Sequence, residues 1–598
     1  MKAFTEPLLS LAGFEEMTKT AEKSSGLISV TGCIDAQKSQ MIYAFGGHSK
    51  HKLIVTFGEQ KAKELYDEYS FFDKEVVYYP SKDVLFYQSD IRGNLLTAER
   101  IRALKAIREQ ERVTLVTTFD ALMNTMAPIE KMWENVLTLE QGQLLDLKEI
   151  QAALIRMGYE KEYQVQTMGQ FSVRGGILDV FPLTEENPIR IELWGDEIDT
   201  IRYFDCESQK SIENIDRVSI YPAAELVLSD EEKAGGIEKL KAEAKRVSDK
   251  LRKQMKTEEA HRVSVMADEL TEEWGELSMY AGMDAFLSYF FDERVGILDY
   301  FNPSDSLIFF DELTRCAEQG KLTETEFSES MKQRLAMGYI LPGQMNGLFT
   351  EKEIVAKLGK YSCIALAALD NKANGLHQLG SYGIHCQSVS PYNNSFELLI
   401  KDLKRYKKNG YRVILLSGSR TRAKRLSEDI TDQGITCFYT ENYDHELSEG
   451  QIMVCYGKVR RGFEYPILKF AVITESDIFG AQQKKKKRHR TYEGEKIQSF
   501  TDLSVGDYVV HENHGLGIYR GIEKLEVDKK VKDYIKIEYQ GGSNLYILAT
   551  QLDMIQKYAG KDAKKPKLNK LGGQEWTRTK NRVRGAVKQI AGDLVKLY

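Results

Sequence analysis

The chain has 598 residues, more than one hydrophobic core supports, so several domains are expected. With 42% apolar and 29% charged residues it has a globular composition, which excludes a fibrous or largely disordered protein. The net charge of −6 hides an asymmetry: residues 481–598 carry 25 basic against 14 acidic side chains, leaving the first 480 at −17. An acidic body repels a phosphate backbone unless basic residues cluster locally. The body therefore reads as protein-binding and the tail as the part suited to a polyanion. Apolar runs of membrane-spanning length and a charged-apolar-small leader are both missing, so no membrane role is expected. The cysteines at 33, 206, 316, 363, 386, 437 and 455 stand singly, without a C-x-x-C pair. That speaks against a zinc site and a disulfide framework and fits a reducing cytoplasm.

The first 120 residues alternate strand and helix. Leu-Ile-Val-Thr-Phe at 53–57 and Val-Thr-Leu-Val-Thr at 113–117 are buried-strand runs, with helical patterns at 61–66 and 97–107. Ahead of them, Gly32, Lys38 and Ser39 fall on the spacing of a phosphate loop, but Gln37 stands where the second glycine belongs. That glycine permits close backbone approach to a phosphate, and a side chain there obstructs it. Far downstream, Leu-Ile-Phe-Phe at 307–310 runs into Asp311 and Glu312, an apolar strand ending in an acid pair of the kind that holds Mg²⁺ in ATPases. The six residues are expected to form a degenerate nucleotide site, and the returning strand is expected to rejoin the first sheet.

From about residue 128 the texture changes to short strands at 171–182, 189–194 and 200–204, an antiparallel insert. The segment from Gly169 through Phe171, Arg174, Gly175 and Phe181 to Pro182, followed by Trp-Gly-Asp-Glu at 194–197, resembles the domain of the excision-repair protein UvrB that binds UvrA. The resemblance implies a UvrA-docking surface formed by Phe171, Arg174, Gly175 and Phe181. Arginine suits such a role because it joins a bidentate donor to a flat apolar face. The alternative on residues alone is local pairing of Arg174 with Asp179. Ser172 and Glu160 stand where basic residues are common in UvrB-like proteins. The segment 80–90 is too short for the aromatic hairpin with which UvrB probes damage.

Charged helices follow from 230 to about 274, and a second α/β unit is expected at 348–480, with a strand at 411–416, a Ser-Gly-Ser turn, and a basic helix from Arg420. The run Lys-Lys-Lys-Lys-Arg-His-Arg at 484–490 reads as a linker. Beyond it, residues 505–521, 534–539 and 545–548 form short strands, with Gly515, Gly517 and Gly541-Gly542 marking turns. A small twisted β-barrel is the physical reading, and His511 and His514 within it are structural, since they lie in a strand-turn context off the helical H-E-x-x-H spacing. Trp576, Val583, Val587, Ile590 and Leu594 continue at helical spacing to the last residue, as though the chain were cut within an element.

The barrel resembles the CarD-like RNA-polymerase-interacting domain. Together with the UvrB-like segments it is similar to the transcription-repair coupling factors over essentially the whole chain. That resemblance implies an α/β multidomain protein: a degenerate helicase-like sheet (1–124 and 226–345), a UvrA-binding-like insert (125–225), a small α/β domain (348–480), a basic linker (481–500), a CarD-like barrel (501–560), and the start of a basic helix (561–598). It implies attachment to the RNA polymerase β subunit by an exposed strand edge at Ile522, Lys524, Leu525 and Glu526, with Leu525 as apolar anchor. It further implies recruitment of UvrA, monomeric behaviour, and a translocase motor on double-stranded DNA, using ATP and Mg²⁺, beyond residue 598. No cofactor, metal or catalytic residue is expected within the chain itself. A UvrB-like ATP-dependent repair enzyme and a stand-alone CarD-type transcription regulator are the alternatives.

Overall fold

The computed structural model describes residues 1–46, 49–82, 94–206, 208–276, 283–369, 375–480, 495–496, 503–511, 514–527, 530–548, 555–558, 566 and 568–570. The basic run at 484–490 and the helical pattern from 574 lie outside them. Two compact units are present, one of Met1–Lys82, Arg102–Pro128 and Phe291–Lys487, the other of Asp83–Ile101, Ile129–Phe290 and Arg488–Tyr598.

The first unit is built on a seven-stranded, all-parallel sheet in the order Gln378–Gly383, Gly26–Thr31, Ser362–Leu366, Ser306–Asp311, His51–Thr56, Val113–Thr118, Val76–Tyr79. Its inner strands are buried on both faces, which is why they read as continuous apolar runs. The strand ending in Asp311 returns to the middle of this sheet, as expected. Parallel register brings the ends of the Gly26–Thr31, His51–Thr56 and Ser306–Asp311 strands to one edge, where the Lys38 site is assembled.

A second, mixed sheet runs Gln387–Ser388, Phe463–Tyr465, Phe470–Thr474, Arg412–Ser417, Ile452–Tyr456, Phe438–Tyr439. The boundary expected at 348 is thereby moved. Ser362–Leu366 and Gln378–Gly383 belong to the first sheet, because the Ser362–Leu366 run is buried on both sides and completes its parallel ladder. The two sheets share one apolar cluster in which Ile28, Met41, Phe45 and Phe309 join Ile414, Met453, Tyr465 and Phe470. The far side of the second sheet has its own core, closed by Leu399 and Leu403 of helix Phe396–Lys408 and Leu426 of helix Arg420–Asp432.

In the second unit the insert is a six-stranded sheet, Ser211–Ile215, Glu197–Phe204, Ile189–Trp194, Ile177–Val180, Gln170–Arg174, Glu160–Lys161, antiparallel except for its last pair. Helices Asp230–Lys253 and Thr257–Glu276 form a hairpin; the first opens with a reciprocal capping box between Ser229 and Glu232. These helices fall in the second unit with the insert.

The C-terminal sheet runs Glu495–Lys496, Ile555–Lys557, Tyr508–His511, Gly515–Val527, Lys530–Glu538, Asn544–Leu548, antiparallel throughout. The described strands form an antiparallel ladder around Val509, Tyr519, Ile535, Ile537 and Tyr539. Its long strand is bulged between Tyr519 and Ile522: three residues there oppose the two-residue step from Ile537 to Ile535. The bulge includes Gly521, whose φ of 102° suits glycine. Gly517 is no turn residue but a strand position opposite Val509, where a Cβ would lie 2.4 Å from Ile537.

Candidate functional site

The phosphate-loop residues do converge with the distant acid pair. Lys38 is 1% exposed, and its Nζ donates to Asp311 Oδ1 at 2.5 Å, Glu312 Oε1 at 2.8 Å and Asp35 Oδ1 at 3.2 Å. Asp311 Oδ2 accepts from Thr56 Oγ1 at 2.9 Å, and Glu312 Oε1 also accepts from the Ala368 N–H at 3.1 Å. Burial alone would lower the Lys38 ammonium, but the Asp311 and Glu312 carboxylates hold it above the ordinary lysine range. Asp35 is held below the usual carboxylate range: its partial burial works the other way, and the Lys61 and Lys38 ammonium groups overcome it.

The backbone around this cluster is unlike a phosphate cradle. Helix Asp35–Phe45 begins three residues before Lys38, so the segment that would bare its N–H groups is already helical. Gln37 is buried in the first turn, with Oε1 accepting from the Tyr465 hydroxyl at 3.2 Å. Gly32 has a φ of 78°, and a Cβ there would lie 2.1 Å from the Ile384 carbonyl oxygen, so that space is filled by the chain itself. Ser39 is buried, and its Oγ has no partner among the described residues. The set does not fit a triphosphate: its lysine is saturated by three carboxylates, and its loop has become helix and packed backbone.

On the insert, strand alternation separates an apolar from a polar face. Phe171 is fully buried in the apolar core with Leu178, Ile189 and Ile191, and Phe181 is buried as well. The polar face is an ion-pair ladder. Buried Asp179 accepts from Arg174 Nη2 at 2.7 Å and from Arg190 Nε and Nη2 at 2.7 and 2.9 Å. Arg190 also lies 4.3 Å over the Phe204 ring, and Arg202 pairs with Glu192. Arg174 thus makes the local pair with Asp179 while keeping about a third of its side chain exposed, beside the open Gly175-Gly176 turn. Ser172 is buried on that same polar row, opposite Asp179, and donates to the Tyr163 carbonyl at 2.7 Å; Glu160 is exposed on the edge strand. Arg190, Glu192 and Arg202 were not singled out from the sequence. The alternation Ile-Arg-Ile-Glu-Leu-Trp at 189–194 is the signal that marks Arg190 and Glu192, and it also leaves Trp194 84% exposed.

In the C-terminal sheet the long strand pairs with Tyr508–His511 only through Gly515–Ile518, while Ile518–Val527 pairs with Lys530–Glu538. The other edge of 522–527 therefore has no strand partner among the described residues. Ile522 packs against the sheet core, and the neighbouring Glu523 accepts from Lys536 Nζ at 2.6 Å and the Tyr546 hydroxyl at 3.1 Å. Lys524, Leu525 and Glu526 pair through their backbone with Asp533, Lys532 and Val531; their side chains lie outside the description. His511 is buried, with its ring 4.8 Å from that of His514.

A family model described as the UvrB interaction domain matches residues 137–226, and a CarD-like/TRCF RID domain model matches 503–559. The chain is 32% identical to the transcription-repair-coupling factor of Bacillus subtilis (strain 168) over 554 residues, 92% of this chain and 46% of that protein. The chain is a homologue of the transcription-repair-coupling factors. The protein of that name from Staphylococcus haemolyticus (strain JCSC1435) is 31% identical over 96% of this chain and 48% of its own length, and that from Staphylococcus aureus (strain MRSA252) 30% over 98% and 49%. The chain thus spans about half the length of the curated relatives it matches. Both matched domains coincide with sheets described above: the insert with its ion-pair ladder, and the C-terminal ladder with its one-sided ribbon. No helix among the described residues is long and apolar enough to cross a membrane.

Proposed function

We propose that the chain serves transcription-coupled DNA repair in the cytoplasm, holding stalled RNA polymerase through its C-terminal sheet and recruiting UvrA through the insert. The observation that carries this reading is the presence in one chain of a UvrB interaction domain and a CarD-like/TRCF RID domain. The open edge at 522–527 suits strand addition by a polymerase segment, for which the β subunit is the intended partner. The insert offers arginines and an exposed tryptophan, the side chains that dominate binding energy at protein interfaces. The collapsed Lys38 cluster acts as scaffold, and ATP with Mg²⁺ serves a double-stranded-DNA motor formed by other residues of a longer protein. The chain itself acts as a monomer.

The test uses the purified 598-residue chain with RNA polymerase and UvrA in separate retention assays. Leu525→Arg is expected to weaken polymerase retention at least tenfold while UvrA retention and the melting temperature hold. Arg174→Ala is expected to weaken UvrA alone, since Arg190 still neutralises Asp179. A wild-type chain that retains neither partner sinks the reading, and so does a Leu525→Arg chain that keeps its polymerase.

A further inference from the structure

The second sheet of the first unit carries a charged edge that neither proposed partner uses. Residues 411–427 contain five basic side chains and no acid: Arg412, Arg420, Arg422, Lys424 and Arg425. The last four sit on the first turns of helix Arg420–Asp432, all exposed. That helix is charged against its own dipole, with acids at Glu428, Asp429 and Asp432 towards its end. Two other helices of the chain follow the rule. Helix Asp230–Lys253 opens on three acids and closes on three bases, and helix Phe396–Lys408 opens on Glu397 and closes on Arg405, Lys407 and Lys408. Four bases gathered at the start of one helix, against its dipole, point to a demand outside folding.

The topology doubles the charge. Strands Arg412–Ser417 and Ile452–Tyr456 are parallel neighbours with Ser417 opposite Tyr456, so both chain ends leave the sheet side by side. Exposed Lys458, Arg460 and Arg461 follow the second strand. Arg420, Arg422 and Arg460 are tied to Glu441, Glu475 and Glu64, while no ion pair engages Lys424, Arg425 or Lys458 among the described residues. Beside them the Glu475 carboxylate accepts from Ser417 Oγ at 2.9 Å, from the Gly418 N–H at 2.6 Å and from the Arg422 guanidinium, a donor set equally suited to a phosphate oxygen. None of the large exposed apolar side chains falls at 418–425 or 457–461, so the edge lacks the anchors of a protein interface.

We propose that this edge binds the phosphate backbone of duplex DNA without regard to sequence. Lys424, Arg425 and Lys458 neutralise phosphates there, and Arg422, positioned by Glu475, flanks them. It would give the acidic body a grip on DNA separate from any motor and independent of polymerase and UvrA binding.

The test is a salt series of binding to a mixed-sequence duplex by the 598-residue chain. Lys424→Glu, Arg425→Glu and Lys458→Glu together should lower affinity at least tenfold near 50 mM salt, and should flatten the plot of log K against log salt by about 2–3, one phosphate per lost cation. The charge-preserving set Lys424→Arg, Arg425→Lys and Lys458→Arg should leave both unchanged, with the melting temperature reporting the fold of each variant. An unaltered slope in the folded reversal variant overturns the proposal. Equal competition by polyglutamate at matched charge also overturns it, assigning the edge to an acidic protein.

Discussion

Lys38 joins two stretches of chain, reaching 273 residues along the sequence to Asp311. With that lysine removed, Asp311 is a buried carboxylate left with one hydroxyl partner, Thr56, and Glu312 loses its cation. Breaking one side of a buried ion cluster costs far more than a surface pair, because a charge is stranded out of water. Lys38→Ala is therefore expected to cost about 3–5 kcal/mol of stability, measured as a fall in the urea midpoint. An unchanged midpoint would show that Lys38 clasps nothing. The members of this cluster were legible in the sequence as loop and acid-pair remnants, because spacing survives. What spacing does not convey is that Gln37 sits in a helix, since the early start of Asp35–Phe45 depends on Tyr465 and Ile384, hundreds of residues away.

Among elements, helix Asp230–Lys253 holds a glycine against expectation. Gly→Ala inside a helix ordinarily stabilises by about 0.5–1 kcal/mol through backbone entropy. At Gly236, however, a Cβ would lie 2.1 Å from the Phe290 ring. Overpacking of that kind costs about 1–3 kcal/mol, so the steric term wins. Gly236→Ala is expected to lower the melting temperature of the chain, whereas Gly235→Ala, in open space one residue earlier, should not; equal shifts for the two would refute the close approach. Element types were largely readable, since buried parallel strands are apolar runs and the insert alternates. Their partnerships were not. Ser362–Leu366 looks like the start of a new domain when read along the chain, yet ladder pairing places it between Gly26–Thr31 and Ser306–Asp311. Nor does alternation alone reveal that Arg190, and not only Arg174, closes on Asp179.

At the scale of the whole molecule, the two sheets of the first unit are joined by polar groups as well as by their common core. Glu68, on helix Glu59–Tyr69, accepts from the Arg460 N–H at 3.3 Å, and Arg460 pairs with Glu64 at 2.7 Å. Burial pushes the Glu68 carboxyl up to about 7, against the pull of Arg460. The folded chain then keeps a proton that the unfolded chain releases near 4.5, so the contribution of Glu68 to stability is greatest at acid pH and falls as pH rises from 4.5 towards 7. Glu68→Gln is expected to remove that fall and to gain about 1–3 kcal/mol at pH 8. Unfolding curves for both proteins between pH 5 and 8 check this, and parallel curves would refute the burial. Length, unlike pH, acts on the C-terminal sheet through parity. The extra residue between Tyr519 and Ile522 lets both face the core and turns Glu523 outward to Lys536 and Tyr546. Straightening that bulge without removing a residue would act like a reading-frame error written in three dimensions, exchanging Ile522 with Glu523 between core and solvent while leaving every amino acid of the ribbon unchanged.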